Sequence, residues 1–97
     1  MQATRFVVQQ MKVDGIVVET TYADVYVVVR DDAEVPAPTD WEAQAHGVET
    51  RNISAGRHHL ECSVPDGTVL SGEAVVRFTD GTRHLFRGDS ELIGFAG

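Results

Sequence analysis

The sequence predicts an all-β chain that folds as a small antiparallel β-barrel or a two-sheet β-sandwich of seven or eight short strands, most of them connected by hairpins. Three observations support this fold class. Asp-Gly pairs at 14–15, 66–67 and 80–81 separate runs rich in β-branched residues, and such pairs favour the tight turns of β-hairpins. The runs between these turns are short. Several of them alternate apolar with polar residues, which is the period of a half-buried strand.

The N-terminal part predicts the first hairpin and a central strand. Residues 4–13 and 16–22 are the expected strands, and the Asp-Gly pair between them forms a two-residue turn. That loop length places three pairs of residues opposite one another: Val13 with Ile16, Met11 with Val18, and Val7 with Tyr22. In the next run, 25–30, both the odd-numbered and the even-numbered positions are apolar, which is typical of a strand covered on both faces.

Residues 57–86 predict three further strands joined by two turns. In the first turn, 64–68, proline presets φ and glycine takes the left-handed position that makes a bulge. Its register pairs Val64 with Thr68, Cys62 with Leu70, and Leu60 with Gly72. The second turn pairs Phe78 with Arg83, Val76 with Leu85, and Val75 with Phe86. Both registers place one set of side chains on the inner face: Leu60, Cys62, Val64, Leu70, Ala74, Val76, Phe78 and Leu85.

Residues 40–46 are compatible with two structures. Thr39 and Glu42 have the spacing of a helix-capping box. However, Trp41 and the two alanines after it alternate with polar residues at the period of a strand. A helix of two turns is marginal without packing, so a strand is favoured and one short helix is the alternative. The segment 31–40 holds four acidic residues and two prolines and predicts a solvated loop.

Length and charge restrict the class of protein. The 97 residues predict a single domain over 1–97. The net charge is −7, and the segment 14–50 alone carries nine acidic residues and one basic residue, a sum of −8. This excess disfavours a nucleic-acid partner, because such binding is driven by Lys and Arg. The sequence has no apolar run long enough to span a bilayer, no signal-peptide pattern and no second cysteine. We therefore expect a cytoplasmic protein with no membrane partner.

The histidines and the cysteine are the candidate groups for chemistry. Zinc needs three or four ligands that converge on one point, but strand alternation places His59 on the opposite face from His58 and Cys62. Cys62 falls on the predicted inner face, where an inert buried thiol is expected. The sequence also lacks a nucleophile elbow and a phosphate-binding glycine loop. We therefore expect no catalytic residues, no metal and no cofactor, and a small enzyme or metal-binding protein is the weaker alternative.

The face opposite the predicted inner line carries further apolar residues. Val69, Val75 and Phe86 lie there, flanked by Arg77 and His84. Exposed apolar patches on small domains mark interaction surfaces. The leading functional prediction is therefore a non-catalytic protein-interaction or assembly module. Its partner is another protein or a second copy of the chain, and we expect a homo-oligomer.

The aromatic residues of the N-terminal half suggest a second function. Trp41, Tyr22 and Tyr26 could line the mouth of a barrel that binds a small molecule. This alternative requires an interior cavity that opens to solvent between these rings. An interior filled by side chains would exclude it.

Overall fold

The structure, a computed structural model, describes residues 2–29, 39–46, 53, 55–79 and 83–95. In these residues it is all-β, as predicted. The eight strands are β1 (Gln2–Val7), β2 (Gln10–Val13), β3 (Ile16–Val18), β4 (Tyr22–Val29), β5 (Thr39–His46), β6 (Arg57–Ser63), β7 (Val69–Thr79) and β8 (Arg83–Gly88). Within the described ranges, no helix is long and apolar enough to cross a membrane.

All eight strands belong to one curled antiparallel sheet, in the order β1-β4-β5-β8-β7-β6-β2-β3. β1 and β2 follow each other in the chain but lie near opposite ends of the strand order, because β1 pairs with β4 and β2 pairs with β6. The sheet therefore curls so that its two ends approach each other. Between them, the Val8 N–H donates to the Ala23 carbonyl at 2.8 Å and the Gln9 N–H donates to the Ser63 carbonyl at 2.7 Å. The architecture is therefore a half-barrel made from a single sheet rather than from two stacked sheets.

The first hairpin forms around the predicted turn, but its register changes along its length. Asp14 and Gly15 have φ of 52° and 82°, as a tight two-residue hairpin turn requires. Next to the turn, the predicted pairs of Val13 with Ile16 and of Met11 with Val18 are confirmed. Farther away, Val7 pairs with Asp24 and not with Tyr22. The register of β1 with β4 therefore differs by two residues from the register of β2 with β3.

Residues 39–46 form a strand, so the favoured prediction is confirmed and the short helix is wrong. β5 lies between β4 and β8 and pairs with both. Those two ladders satisfy its backbone groups and bury one face, which an isolated two-turn helix could not achieve. Trp41, Ala43 and Ala45 are the buried residues. The predicted loop before β5 lies largely outside the described residues.

The hairpin of β6 and β7 has the predicted register. Cys62 pairs with Leu70, and Leu60 pairs with Gly72. In the turn, the Thr68 N–H donates to Asp66 Oδ1 at 2.8 Å. Gly67 has φ of 96°, a conformation that favours glycine. Local turn chemistry therefore determines this register.

The predicted register of β7 with β8 is wrong. Val76 pairs with Phe86 instead of Leu85, and Phe78 pairs with Leu85 instead of Arg83. An irregularity between Val76 and Phe78 places one extra residue, Arg77, on β7. Because strand faces alternate, one extra residue exchanges the faces of everything beyond it. The turn at 80–82 lies outside the described residues.

The inner face of the curl combines small and large side chains. Ala23, Ala43, Ala45 and Ala74 are almost completely buried there, and the largest side chains beside them belong to Trp41, Phe86, Met11, Leu60 and Leu70. Glycines provide the closest approach: a Cβ on Gly72 would lie 2.8 Å from Trp41 Cζ2, and a Cβ on Gly88 would overlap the indole. The alternation of size lets one sheet curl around its own core.

The C-terminal segment 89–95 completes this core. Ile93 and Ser71 exchange two backbone hydrogen bonds, of 2.9 and 2.8 Å. Leu92 is buried, and the Phe95 ring packs edge-on against Phe6 with 5.9 Å between centroids. The segment therefore connects β7 with β1, two strands that do not pair with each other.

We expect Gly88→Ala to lower the free energy of unfolding by about 1–3 kcal/mol, because its Cβ would overlap the Trp41 indole. The measurement is urea denaturation of Gly88→Ala, Trp41→Phe and the double variant. Phenylalanine lacks the indole nitrogen and part of the indole ring, so the double variant should lose less stability than the sum of the single losses. Additive losses would contradict the proposed contact.

Candidate functional site

The structure divides the five predicted interface residues between the two faces of the sheet. Val69 is 49% exposed, Arg77 is exposed and Val75 is half-buried on the outer face. In contrast, Phe86 is 0% exposed and His84 is 1% exposed, so both belong to the interior. The extra residue on β7 is the physical reason, since it places on the inner face the β8 side chains that were predicted to lie on the outer face.

Leu85 and Arg87 occupy the outer positions of β8 in place of those two residues. Leu85 is half-buried and Arg87 is exposed. Arg87 lies directly opposite Val75 in the β7–β8 ladder. The sequence prediction missed both residues, because the signal for them is a bulge, and no glycine marks that position on β7.

A row of four residues crosses the outer face in register. From β6 to β5 it runs Arg57, Val75, Arg87, Glu42. Tyr26 on β4 continues the row, since it pairs with Glu42. Neighbouring strands are about 4.8 Å apart, so these side chains are adjacent on one surface. We refer to the four residues from Arg57 to Glu42 as the outer row.

Most charges of the outer row are available to a partner. Arg57 Nη1 lies 3.4 Å from Asp89 Oδ2, but both side chains are at least half exposed, so this ion pair contributes little. Arg87 and Glu42 are cross-strand neighbours. Neither of them makes an ion pair with another residue in the described part of the chain. Binding a partner therefore need not first break a strong internal ion pair.

A surface cleft of about 280 Å³ adjoins this row. Its lining residues are Tyr26, Val28, Asp40, Trp41, Glu42, Arg87 and Gly88. Tyr26 is 45% exposed, whereas Trp41 is 3% exposed and its indole N–H donates to the Ser90 carbonyl at 2.8 Å. Two of the three predicted pocket aromatics thus border one cleft, but it opens on the outer face and not into the interior.

The third predicted pocket residue, Tyr22, lies in a separate polar cluster. The Arg5 guanidinium is 5.4 Å from the centre of the Tyr22 ring, and the Tyr22 hydroxyl donates to Asp24 Oδ2 at 3.3 Å. Arg5 Nε donates to the same oxygen at 2.7 Å. The His46 ring packs on the Tyr22 ring, with 5.7 Å between centroids. Tyr22 therefore has contacts within the chain and does not line the cleft.

The adjacent histidines of β6 make contacts with carboxylates. His58 Nδ1 lies 2.6 Å from Asp14 Oδ2, and the backbone N–H of His59 donates to Asp14 Oδ1 at 2.9 Å. His59 Nδ1 is 3.3 Å from Glu73 Oε1. The hydrogen bond from His58 and that from the His59 N–H lower the pKa of Asp14, because they favour its charged form. The sequence did not reveal the Asp14 contacts, since they exist only where β2 closes against β6.

These polar groups do not converge on a metal-binding point. The described ranges contain no group of three or more His, Cys, Asp or Glu side chains with such geometry. Cys62 is buried in the core, and burial raises the pKa of its thiol to about 12. This thiol is therefore not a nucleophile at neutral pH.

Comparisons with known proteins give no further assignment. The chain matches no protein-family model, no curated protein and no solved structure. The outer row and the adjoining cleft are therefore the features of the described residues that bear on function.

We expect Asp14→Asn to destabilise the protein in a pH-dependent way. Asparagine tolerates the positive φ and can still accept from the His59 N–H, but it removes the charge that faces His58. Because the pKa of Asp14 is lowered from 3.8, the carboxylate's stabilisation is fully present above that value and is lost as the pH falls through the lower folded value.

Urea denaturation of the wild type and Asp14→Asn across a pH series tests this prediction. The difference in the free energy of unfolding should persist at about pH 5 and decrease at pH values below 3.8. A difference that stays constant down to about pH 2 would show that the charge has no part in anchoring the turn.

Proposed function

We propose that this protein is a non-catalytic interaction module that binds a protein through the outer face of β7 and β8. The observation that carries the proposal is the half-buried pair Val75 and Leu85 among exposed arginines, namely Arg57, Arg77, Arg83 and Arg87. Apolar side chains at the centre of a surface and arginines around them are a frequent composition of protein interfaces.

The distribution of charge supports a protein rather than a nucleic acid as the partner. Two of the arginines of this face have a carboxylate beside them, because Glu42 is next to Arg87 and Asp89 is next to Arg57. A polyanion would meet charges of both signs on this face, and the net charge of −7 would repel it.

The acidic composition and the single buried cysteine also support the proposal of a cytoplasmic location.

A photo-crosslinking residue at position 85 tests this proposal in the organism that encodes the chain. We expect the probe at Leu85 to crosslink to a defined protein, which is then purified. Val75→Asp should weaken its binding to the chain at least about tenfold, because a charge would be buried against the partner. A matched probe at Val17, an exposed residue of β3, should not give this product.

Two results would contradict the assignment. One is that the purified partner binds the wild type and Val75→Asp with equal affinity. The other is that positions 85 and 17 give the same products, or that position 85 gives none. Circular dichroism of Val75→Asp verifies that the sheet is intact, so that a loss of binding is not caused by unfolding.

The cleft beside Tyr26 supports a second candidate function, the binding of a small molecule at the surface instead of in a barrel interior. Its volume of about 280 Å³ is slightly below the range of roughly 300–1,000 Å³ for drug-sized ligands, so a compact molecule would fit. The lining has two carboxylates, Asp40 and Glu42, against one cation, Arg87, so its negative balance and the exposed Tyr26 ring favour an aromatic or aliphatic cation.

NMR titration with tyramine, a small aromatic cation, tests this candidate. We expect the amide signals of Val28 and Glu42 to shift, and Tyr26→Ala to abolish the shifts because the ring is a wall of the cleft. Tyr22→Ala, a matched loss of a tyrosine outside the cleft, should leave them unchanged. No shifts, or equal shifts in wild type and Tyr26→Ala, would refute this function.

A further inference from the structure

The partner of the outer face can be specified further, and this step rests on the proposed interaction function. We infer that the partner is a second copy of the same chain, docked outer face to outer face. The two-fold axis lies in the plane between the sheets and runs parallel to the strands, between β7 and β8. The order of residues in the outer row favours this arrangement.

The outer row is complementary to its own reverse. Across β6, β7, β8 and β5 it presents a cation, an apolar residue, a cation and an anion, which are Arg57, Val75, Arg87 and Glu42. A two-fold axis between β7 and β8 reverses this order in the second copy. Arg57 then faces Glu42 of the second copy, and Val75 faces the aliphatic part of Arg87.

Two-fold symmetry makes each of these contacts twice. The interface of such a dimer is isologous, so the same patch on both copies must be self-complementary. The dimer thus contains two contacts of opposite charge, each between Arg57 of one copy and Glu42 of the other. At the centre, the aliphatic stem of Arg87 covers Val75 of the other copy, also twice. An axis through β8 itself would instead place Arg87 against its own copy, which like charges disfavour.

The small size of the face and its exposed charges favour a weak dimer. Four strands at about 4.8 Å spacing, with about 3.3 Å per residue over six-residue β8, give a face of at most roughly 20 Å by 20 Å, since the outer face of a curled sheet is convex. This area is about half of the roughly 800 Å² per partner in a stable interface of standard size. The charged pairs are also at the surface, so salt screens them. We therefore expect a weak, salt-sensitive dimer with a Kd in the micromolar to millimolar range.

Reciprocal charge reversal at positions 57 and 42 tests the inference. Sedimentation velocity of the wild type over a concentration series up to about 1 mM should show a monomer–dimer equilibrium that weakens with salt. Arg57→Glu and Glu42→Arg should each raise the Kd at least about tenfold, because each variant places like charges opposite one another twice.

A mixture of the two variants gives the decisive result. In the mixed dimer, the two substituted side chains face each other at one contact and the two wild-type side chains face each other at the other, hence opposite charges meet at both. We expect the mixture, and also the double variant Arg57→Glu/Glu42→Arg, to dimerise within about threefold of the wild type. The matched control is Lys12→Glu/Glu61→Arg, an exchange between cross-strand neighbours outside the row, which should leave the Kd unchanged.

Three outcomes would overturn the inference. These are a wild type that stays monomeric at the highest concentration, a dimer that both single variants leave intact, and a mixture that does not dimerise although both variants are folded by circular dichroism. The proposed interaction function would survive any of these results if the probe at position 85 still crosslinks to a different protein. It would fail separately if that probe gives no product sensitive to Val75→Asp.

Discussion

The packing of Trp41 against two glycines is the contact on which the closed interior depends. A single curled sheet has no second layer to cover its inner face, so its own strands must approach one another closely. Gly72 and Gly88 leave the space for the indole, and the indole N–H bonds to the Ser90 carbonyl. That bond fixes the C-terminal segment, whose Leu92 and Phe95 fill the remaining gap beside Phe6.

Turn chemistry made part of this fold predictable from the sequence. Asp14-Gly15 and the 64–68 turn determine registers locally, so the pairs of Val13 with Ile16 and of Cys62 with Leu70 could be predicted. The closure of β2 on β6 could not, because no local signal encodes a contact between distant segments. For the same reason the contact of Asp14 with His58 was missed.

The candidate surface was predictable in outline but not residue by residue. Alternation assigned Val75 and Arg77 correctly to the outside. It failed at β8 because a single extra residue on β7 exchanges inside and outside, and no sequence pattern distinguishes Arg77 as that residue. Trp41 illustrates a second limit: an aromatic residue at a predicted strand end is equally compatible with a pocket and a core, and only its glycine neighbours in the folded sheet decide between them.

The pairing of β2 also has a consequence for the order of folding. β2 is synthesised well before β6, yet it obtains its second neighbour only when β6 has been made, far along the chain. Until then the edge of β2 is open to other chains. A topology that depends on such distant pairing folds slowly for its size. Because β2 pairs with β3 across the local Asp-Gly turn, and such hairpins form within microseconds, only one edge of β2 stays open until β6 has been synthesised.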